Sequence, residues 1–343
     1  MLPKKKILHL IPSNAIGGVE TAAKTSIGIK NNKYIFTLKF LSKQGNKKNL
    51  SSRIISLFEI IFSTYQVIND KPDFLIVSLW KSCLSAIVIR CFRPKIKIIL
   101  FLHLPESVNF LDYFFTFITS RMASQIWGDS TTTIENRTKE LNVDENVRKK
   151  TISFLAYKLR PNSYQLYKPN FIFWGRIANV KRLDLAINLF YKISEEIEDA
   201  KFTIIGPDCG ELTYLKKLRD SFNLRNKIQF LEPIAIFKIK ELAKDYLFFL
   251  QLSEMEGLGM SVMESMQLGL IPIVTEVGEI KNYCINDKNS IIYKDLNSTK
   301  IKIINKIKNP NQLKLLHQNS ALTWANEKTY REDFKSCLKS LIE

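Results

Sequence analysis

"LFFLQLSEMEGLGMSVMESMQLGLIPIVT", residues 247–275, compresses a whole structural unit into one window. A short apolar run is followed by the Gly-rich turn E-G-L-G, a helix-length stretch, and a second apolar run, "LIPIVT". Runs this continuous predict strands buried on both faces, and a helix between two of them predicts a parallel β-α-β unit.

The same alternation extends both ways along the chain. Upstream in the second half the strand candidates are "NFIFWG", "KFTIIG" and "KIQFLEP". In the first half they are "KILHLI", "YIFTLKFL", "DFLIVSL", "KIKIILFLH", "QIWG" and "TISFL". Helical patterns separate them over Val19–Lys30, Leu50–Asn69, Lys81–Phe92 and Ser107–Met122, and the tail from Gln312 to Glu343 reads as helical. "AYKLRPNSYQLYKP", residues 156–169, has two prolines and no periodicity and reads as a linker. The α/β class follows, with two Rossmann-like domains in tandem over 1–155 and 170–325. A last helix over 326–343 is expected to pack back toward the N-terminal domain. Ligands in such sheets bind at the carboxyl ends of strands, so two facing domains predict a deep interdomain cleft.

Composition narrows the function. The chain has 343 residues and a net charge of +18, of which residues 1–150, with 23 basic and 11 acidic side chains, carry +12. That asymmetry suggests an anionic partner, and without a nucleic-acid motif the expectation is an anionic membrane surface and no nucleic acid. The basic start "MLPKKKILHLIPS" lacks a cleavage-site pattern and reads as a first buried strand. Five cysteines without a C-x-x-C pair suggest a reducing, cytoplasmic setting, with neither a disulfide framework nor a zinc site expected.

Chemistry concentrates after the strands. Glu256 and Glu264 flank the turn Gly257–Leu258–Gly259–Met260, whose backbone N–H groups suit a phosphate or sugar. Glu264, about two turns into the helix, is placed to accept from a ribose diol, and Glu256 to reach the reacting sugar. In "FWGRIANVKRLDLAI", Arg176 and Lys181 stand five apart at a strand end, a pair suited to a diphosphate. Gly206 in "IIGPD" adds a turn at the same edge. "SNAIGGVETAAKTS", residues 13–26, places Gly17 and Gly18 before a helix. It approaches G-x-x-x-x-G-K-T, but Ala23 replaces the second Gly, which disfavours an NTPase loop. Of three histidines, His9 and His317 read as structural, whereas His103 closes an apolar run before "LPES".

On these motifs the chain resembles the retaining glycosyltransferases of family 4, glycosyl transferases group 1, of the bacterial surface-polysaccharide type. The resemblance rests on "GGVE", on "GR" with Lys181 five residues on, on Glu256-x7-Glu264 and on the closing "LTWANEKTYREDFKSCL". It implies the GT-B fold and transfer of a sugar, with retention, from a nucleoside-diphosphate sugar to a glycan or polyprenyl-linked acceptor. By similarity Arg176 and Lys181 bind the donor diphosphate, Glu264 the ribose and Glu256 the donor sugar. Gly17, Gly18, Gly206, Gly257, Leu258, Gly259 and Met260 line the donor, and His103 lies near sugar and acceptor. Without a D-x-D motif no metal or other cofactor is expected. Three departures stand out: Glu232 where relatives often have Gly, Arg182 for Gly, and Gln251 for Pro, the last two expected not to touch the chemistry.

"NFLDYFFTFITSRM", residues 109–122, has five aromatics and as a helix is expected to be mostly buried. Part of its face, with Lys47, Lys48 and Arg53, is a candidate for peripheral docking on the inner face of the membrane. Two rival readings stay open: a sugar-nucleotide epimerase on the same fold and a non-enzymatic scaffold.

Overall fold

The computed structural model describes residues 3–14, 17–42, 50–163 and 169–342. Two compact units divide the chain, Met1–Tyr157 with Lys328–Glu343, and Lys158–Glu327.

The first unit holds β1 (Lys5–Ser13), β2 (Tyr34–Ser42), β3 (Phe74–Ser78), β4 (Lys97–Leu102), β5 (Ala123–Gly128) and β6 (Arg148–Thr151). They form one parallel sheet in the order β2-β1-β3-β4-β5-β6. The second holds β7 (Phe171–Trp174), β8 (Phe202–Ile205), β9 (Ile228–Leu231), β10 (Phe248–Gln251), β11 (Ile271–Val274) and β12 (Ile291–Ile292), ordered β12-β11-β10-β7-β8-β9. Its strands are parallel too. Every residue of β3, β7, β8, β10 and β11 is buried, which is why their sequences are largely apolar without alternation. Each fully buried large apolar side chain contributes about 1.5–3 kcal/mol. In each sheet strand order reverses once, between β1 and β3 and between β7 and β10, and those reversals are where an open α/β sheet leaves a crevice.

Several boundaries differ from the sequence reading. "TISFL" is not a strand: β6 ends at Thr151, and Ile152, Phe154 and Leu155 are buried as irregular chain. Phe154 packs edge-on against Phe101 and Tyr330, so aromatic packing rather than strand pairing explains these apolar residues. The helix read from Val19 ends at Thr25, and that read from Ser107 starts at Phe110, where the Asn109 side chain accepts from the Asp112 N–H at 3.0 Å. The tail is two helices, Pro310–Leu322 and Tyr330–Ser340, because Thr329 and Glu332 form a capping box that starts a new helix. That last helix belongs to the first unit, where Arg331 donates to the carbonyls of Thr25 and Ile27. Strand β12 went unread because it is two residues long.

The aromatic helix Phe110–Met122 inverts the expected burial. Its buried residues are all polar: Asp112, Thr116, Thr119 and Ser120. Phe110 is 74% exposed, with Leu111 and Phe114 exposed beside it. Asp112 pairs with the buried Arg137 and receives the Thr116 hydroxyl, so polar contacts hold much of the inner face, while Phe115 packs on the core and Phe110 and Phe114 face outward.

Candidate functional site

Two centres stand at the strand-order reversals, one in each unit. In the second unit, β7 ends at Trp174 and delivers Gly175 and Arg176, while β10 ends at Gln251 and delivers Ser253 and the turn to Met260. Arg176 is exposed and makes no hydrogen bond or ion pair among the described residues.

Lys181 and Glu256, assigned separately to diphosphate and sugar, are brought together. They form an ion pair with side chains 12% and 10% exposed. The same Glu256 Oε1 accepts from Gln251 Nε2 at 2.8 Å and Ser253 Oγ at 2.7 Å. Gln251 Oε1 in turn accepts from Ser261 Oγ at 2.8 Å, on the helix Met260–Gln267. Gln251, expected not to touch the chemistry, contacts the candidate Glu256 directly, and its amide ties that carboxylate to the helix.

Arg182 adopts φ 45° and ψ 45°, a left-handed conformation that Gly takes without strain. Its guanidinium offsets the strain with a two-point contact to Asp184, at 3.1 and 3.0 Å.

Glu264 lies about one turn into its helix rather than two. Its Oε2 accepts from Trp174 Nε1 at 2.8 Å. Burial pushes the carboxyl up to about 7, with the Trp174 hydrogen bond acting in the opposite direction. The turn is held from outside by Tyr283, whose hydroxyl donates to Leu258 O at 2.7 Å, and by Glu279 N–H to Gly257 O at 2.9 Å. Gly278, with φ 54°, passes so close that a Cβ there would strike the carbonyl oxygens of Glu256 and Gly257. Gly206 has an explanation in packing: a Cβ there would strike the carbonyl of Gly175.

Gly17 and Gly18 open the helix Gly18–Thr25, and the Glu20 carboxylate folds over Gly17 into the space a Cβ would need. In the same unit His103 directly follows β4, with its side chain 2% exposed. Its Nε2 is 2.8 Å from Ser78 Oγ, and Phe101 and Phe154 flank the ring. A pocket beside it is lined by Leu79, Cys83, Asp112, Thr116 and Arg137. Leu79 holds φ 66° and ψ 154°, a strained conformation for a residue with a side chain, immediately after Ser78. Glu232 follows β9, two strands from the β7/β10 reversal.

Sequence reasoning missed Trp174, Ser253, Ser261, Gly278 and Tyr283 around the second centre, and Ser78, Asp129 and Arg137 around the first. Of these, Trp174 and Gly278 carried a signal, each standing next to a motif or a strand end.

Residues 160–321 match the family described as Glycosyl transferases group 1. The match takes in the whole second centre from Trp174 to Tyr283. A curated relative, the uncharacterized glycosyltransferase YqgM of Bacillus subtilis (strain 168), is 26% identical over 119 residues, 35% of this chain and 33% of YqgM. The chain thus aligns with about a third of that relative's length.

Among solved structures, Anabaena Alr3699/HepE in complex with UDP-glucose superposes with a TM-score of 0.78 at 14% identity, over 98% of this chain and 99% of that one. S. aureus TarM, as a mutant in complex with Fondaparinux, alpha-GlcNAc-glycerol and UDP, superposes with a TM-score of 0.66 at 15% identity, over 82% of this chain and 58% of that one. The fold is the GT-B class, built of two Rossmann-like domains.

Proposed function

We propose that the chain is a glycosyltransferase that moves a sugar from a nucleoside-diphosphate sugar to a glycan or polyprenyl-linked acceptor, with retention, in surface-polysaccharide synthesis (O-antigen, capsule or lipopolysaccharide). The observation that carries the reading is the exposed Arg176, without a partner among the described residues, two positions after Trp174, whose indole holds Glu264 at the β7/β10 reversal of the family-matched unit. A solved neighbour holding UDP-glucose supports the donor class.

In this reading Arg176 takes the diphosphate by a two-point contact. The Lys181 ammonium has three donors, so it keeps Glu256 and still offers hydrogens to the ligand. Glu264 gives one oxygen to Trp174 and the other to a ribose hydroxyl, and Glu256 faces the donor sugar. Positive charge on Arg176 and Lys181 stabilises the leaving diphosphate without requiring a metal, and the departing phosphate takes the acceptor proton. His103 serves the sugar and acceptor.

Peripheral docking on an anionic membrane belongs to the same reading. The helix Trp80–Phe92 packs against both Leu50–Asp70 and Phe110–Met122. Both of those helices leave large apolar side chains exposed, Phe58, Ile61 and Phe62 on one and Phe110 and Phe114 on the other. No described helix is long and apolar enough to cross a membrane. Lys47 and Lys48 lie outside the described residues. Phe110→Asp/Phe114→Asp is expected to abolish flotation with acidic liposomes, and retention by the variant speaks against this face.

A thermal-shift panel of UDP, GDP, ADP, CMP, NAD and ATP tests the donor reading. Ligand at 100 times its Kd adds about 2.7 kcal/mol of stability. A shift from one nucleoside diphosphate supports transfer, and a shift from NAD or ATP alone overturns it. Turnover of the sugar nucleotide without acceptor would favour the epimerase.

A further inference from the structure

Three buried polar side chains stand in a row across the β1/β3 reversal. His9 is in register with Ile76, and Ser78 with Phe101. Side chains alternate along a strand, so His9, Ser78 and His103 share one face of the sheet. Ser78 Oγ lies 2.8 Å from His9 Nε2 and 2.8 Å from His103 Nε2. Tyr330 and Phe334 of the last helix cover this face, with Phe334 stacked on His9 and Tyr330 on Phe101.

One hydroxyl carries one proton, so Ser78 donates to one ring and accepts from the other. If both rings donated, its own proton would have no acceptor among the described residues, a costly orphan at full burial. The two imidazoles therefore take opposite tautomers. Asp129 sets the direction, because its Oδ2 lies 3.9 Å from His103 Nδ1. A proton on Nδ1 is favoured beside a carboxylate, and a bare lone pair there is repelled. His103 Nε2 then accepts from Ser78, and Ser78 accepts from His9 Nε2–H. His9 Nδ1 is left as a buried acceptor with no hydrogen-bond partner among the described residues.

We propose that Ser78 and His9 are positioning residues that hold His103 as its Nδ1–H tautomer, making it a hydrogen-bond donor rather than a base toward the sugar or acceptor hydroxyl. The proposal rests on the glycosyl-transfer reading for its consequence, not for its geometry. The 3.9 Å between Nδ1 and Asp129 Oδ2 is too long for a direct hydrogen bond. Nδ1 is buried and has no hydrogen-bond partner among the described residues, so a sugar or acceptor hydroxyl reaching it would accept from Nδ1–H. With Nε2 occupied and Nδ1 protonated, His103 has no lone pair for the acceptor proton, which leaves that proton to the departing phosphate. Burial lowers both His9 and His103 to about 3, so both rings are neutral at pH 7.

Nitrogen-15 NMR of the histidine side chains in the full chain tests this, and only three histidines need assignment. The expected spectrum has His103 protonated on Nδ1 and His9 on Nε2 at neutral pH. Ser78→Ala leaves only the Asp129 carboxylate, 3.9 Å away, to bias the ring and is expected to leave His103 as a tautomer mixture. His9→Gln, whose amide still donates to Ser78, is expected to keep the Nδ1–H form, and His9→Phe to lose it. Sugar transfer by Ser78→Ala is expected to fall about tenfold in kcat with the donor KM unchanged. Nε2–H on His103 in the wild type, or an unchanged tautomer in both Ser78→Ala and His9→Phe, overturns the proposal. If the tautomers behave as expected and no sugar is transferred, the positioning stands and the transferase reading fails.

Discussion

Trp174 Nε1 donates to Glu264 Oε2 at 2.8 Å, joining the end of β7 to the helix that follows β10. The contact fixes beside the end of β7 a carboxyl that burial raises from 4.5 to about 7. The folded protein thus keeps a proton that the unfolded chain releases between pH 4.5 and 7. For this group, stability is greatest below pH 4.5 and declines as pH rises to 7, by roughly 3 kcal/mol. Glu264→Gln is expected to flatten that slope in denaturant titrations. A ribose hydroxyl prefers the ionised form, so nucleoside-diphosphate affinity is expected to rise about tenfold from pH 6 to pH 8. Trp174→Phe removes the hydrogen bond that lowers the carboxyl and moves the transition upward. A pH-independent Kd would contradict this assignment.

Arg176→Ala separates binding from folding. The side chain has no partner among the described residues, so unfolding free energy is expected to change by less than about 0.5 kcal/mol. Loss of a charge-assisted contact costs about 1.5–3 kcal/mol, a roughly 10- to 150-fold rise in Kd by calorimetry. An unstable variant would mean the guanidinium is structural.

Lys181→Met leaves the Glu256 carboxylate with only Gln251 and Ser253 among the described residues, at 10% side-chain exposure. Breaking such a pair from one side costs about 3–5 kcal/mol. Lys181→Met/Glu256→Gln removes the stranded charge as well and is expected to recover most of that loss in urea melts. Additive losses would show that the pair is not coupled.

Gly278→Ala forces a methyl onto the carbonyls of Glu256 and Gly257 at a positive φ. A loss of about 2 kcal/mol or more is expected, with weakened nucleotide binding because the turn carrying Glu256 must shift. Full stability in a thermal melt would mean that the loop moves freely.

Most of the fold was legible in the sequence because a strand buried on both faces is nearly all apolar, as β3, β7, β8, β10 and β11 are apart from Ser78, Thr203 and Gln251. "TISFL" misled for the same reason: an apolar run records burial, not the hydrogen bonding that makes a strand. The helix Phe110–Met122 misled in the opposite sense. Its Asp112 and Thr116 are satisfied from within by Arg137 and one another, a pairing that hydropathy does not register.

Local sequence accounts for the β-α alternation, the two-domain plan and the motifs around Arg176, Glu256 and Glu264. These depend on neighbours within a turn or a strand, where periodicity and backbone geometry act. The pairings came from the assembled fold: Lys181 with Glu256 across 75 positions, Trp174 with Glu264 across 90, and Ser78 with both His9 and His103. Hydrogen bonds of that separation arise from strand order, because parallel strands from distant parts of the chain end side by side, and no local pattern encodes which ends meet.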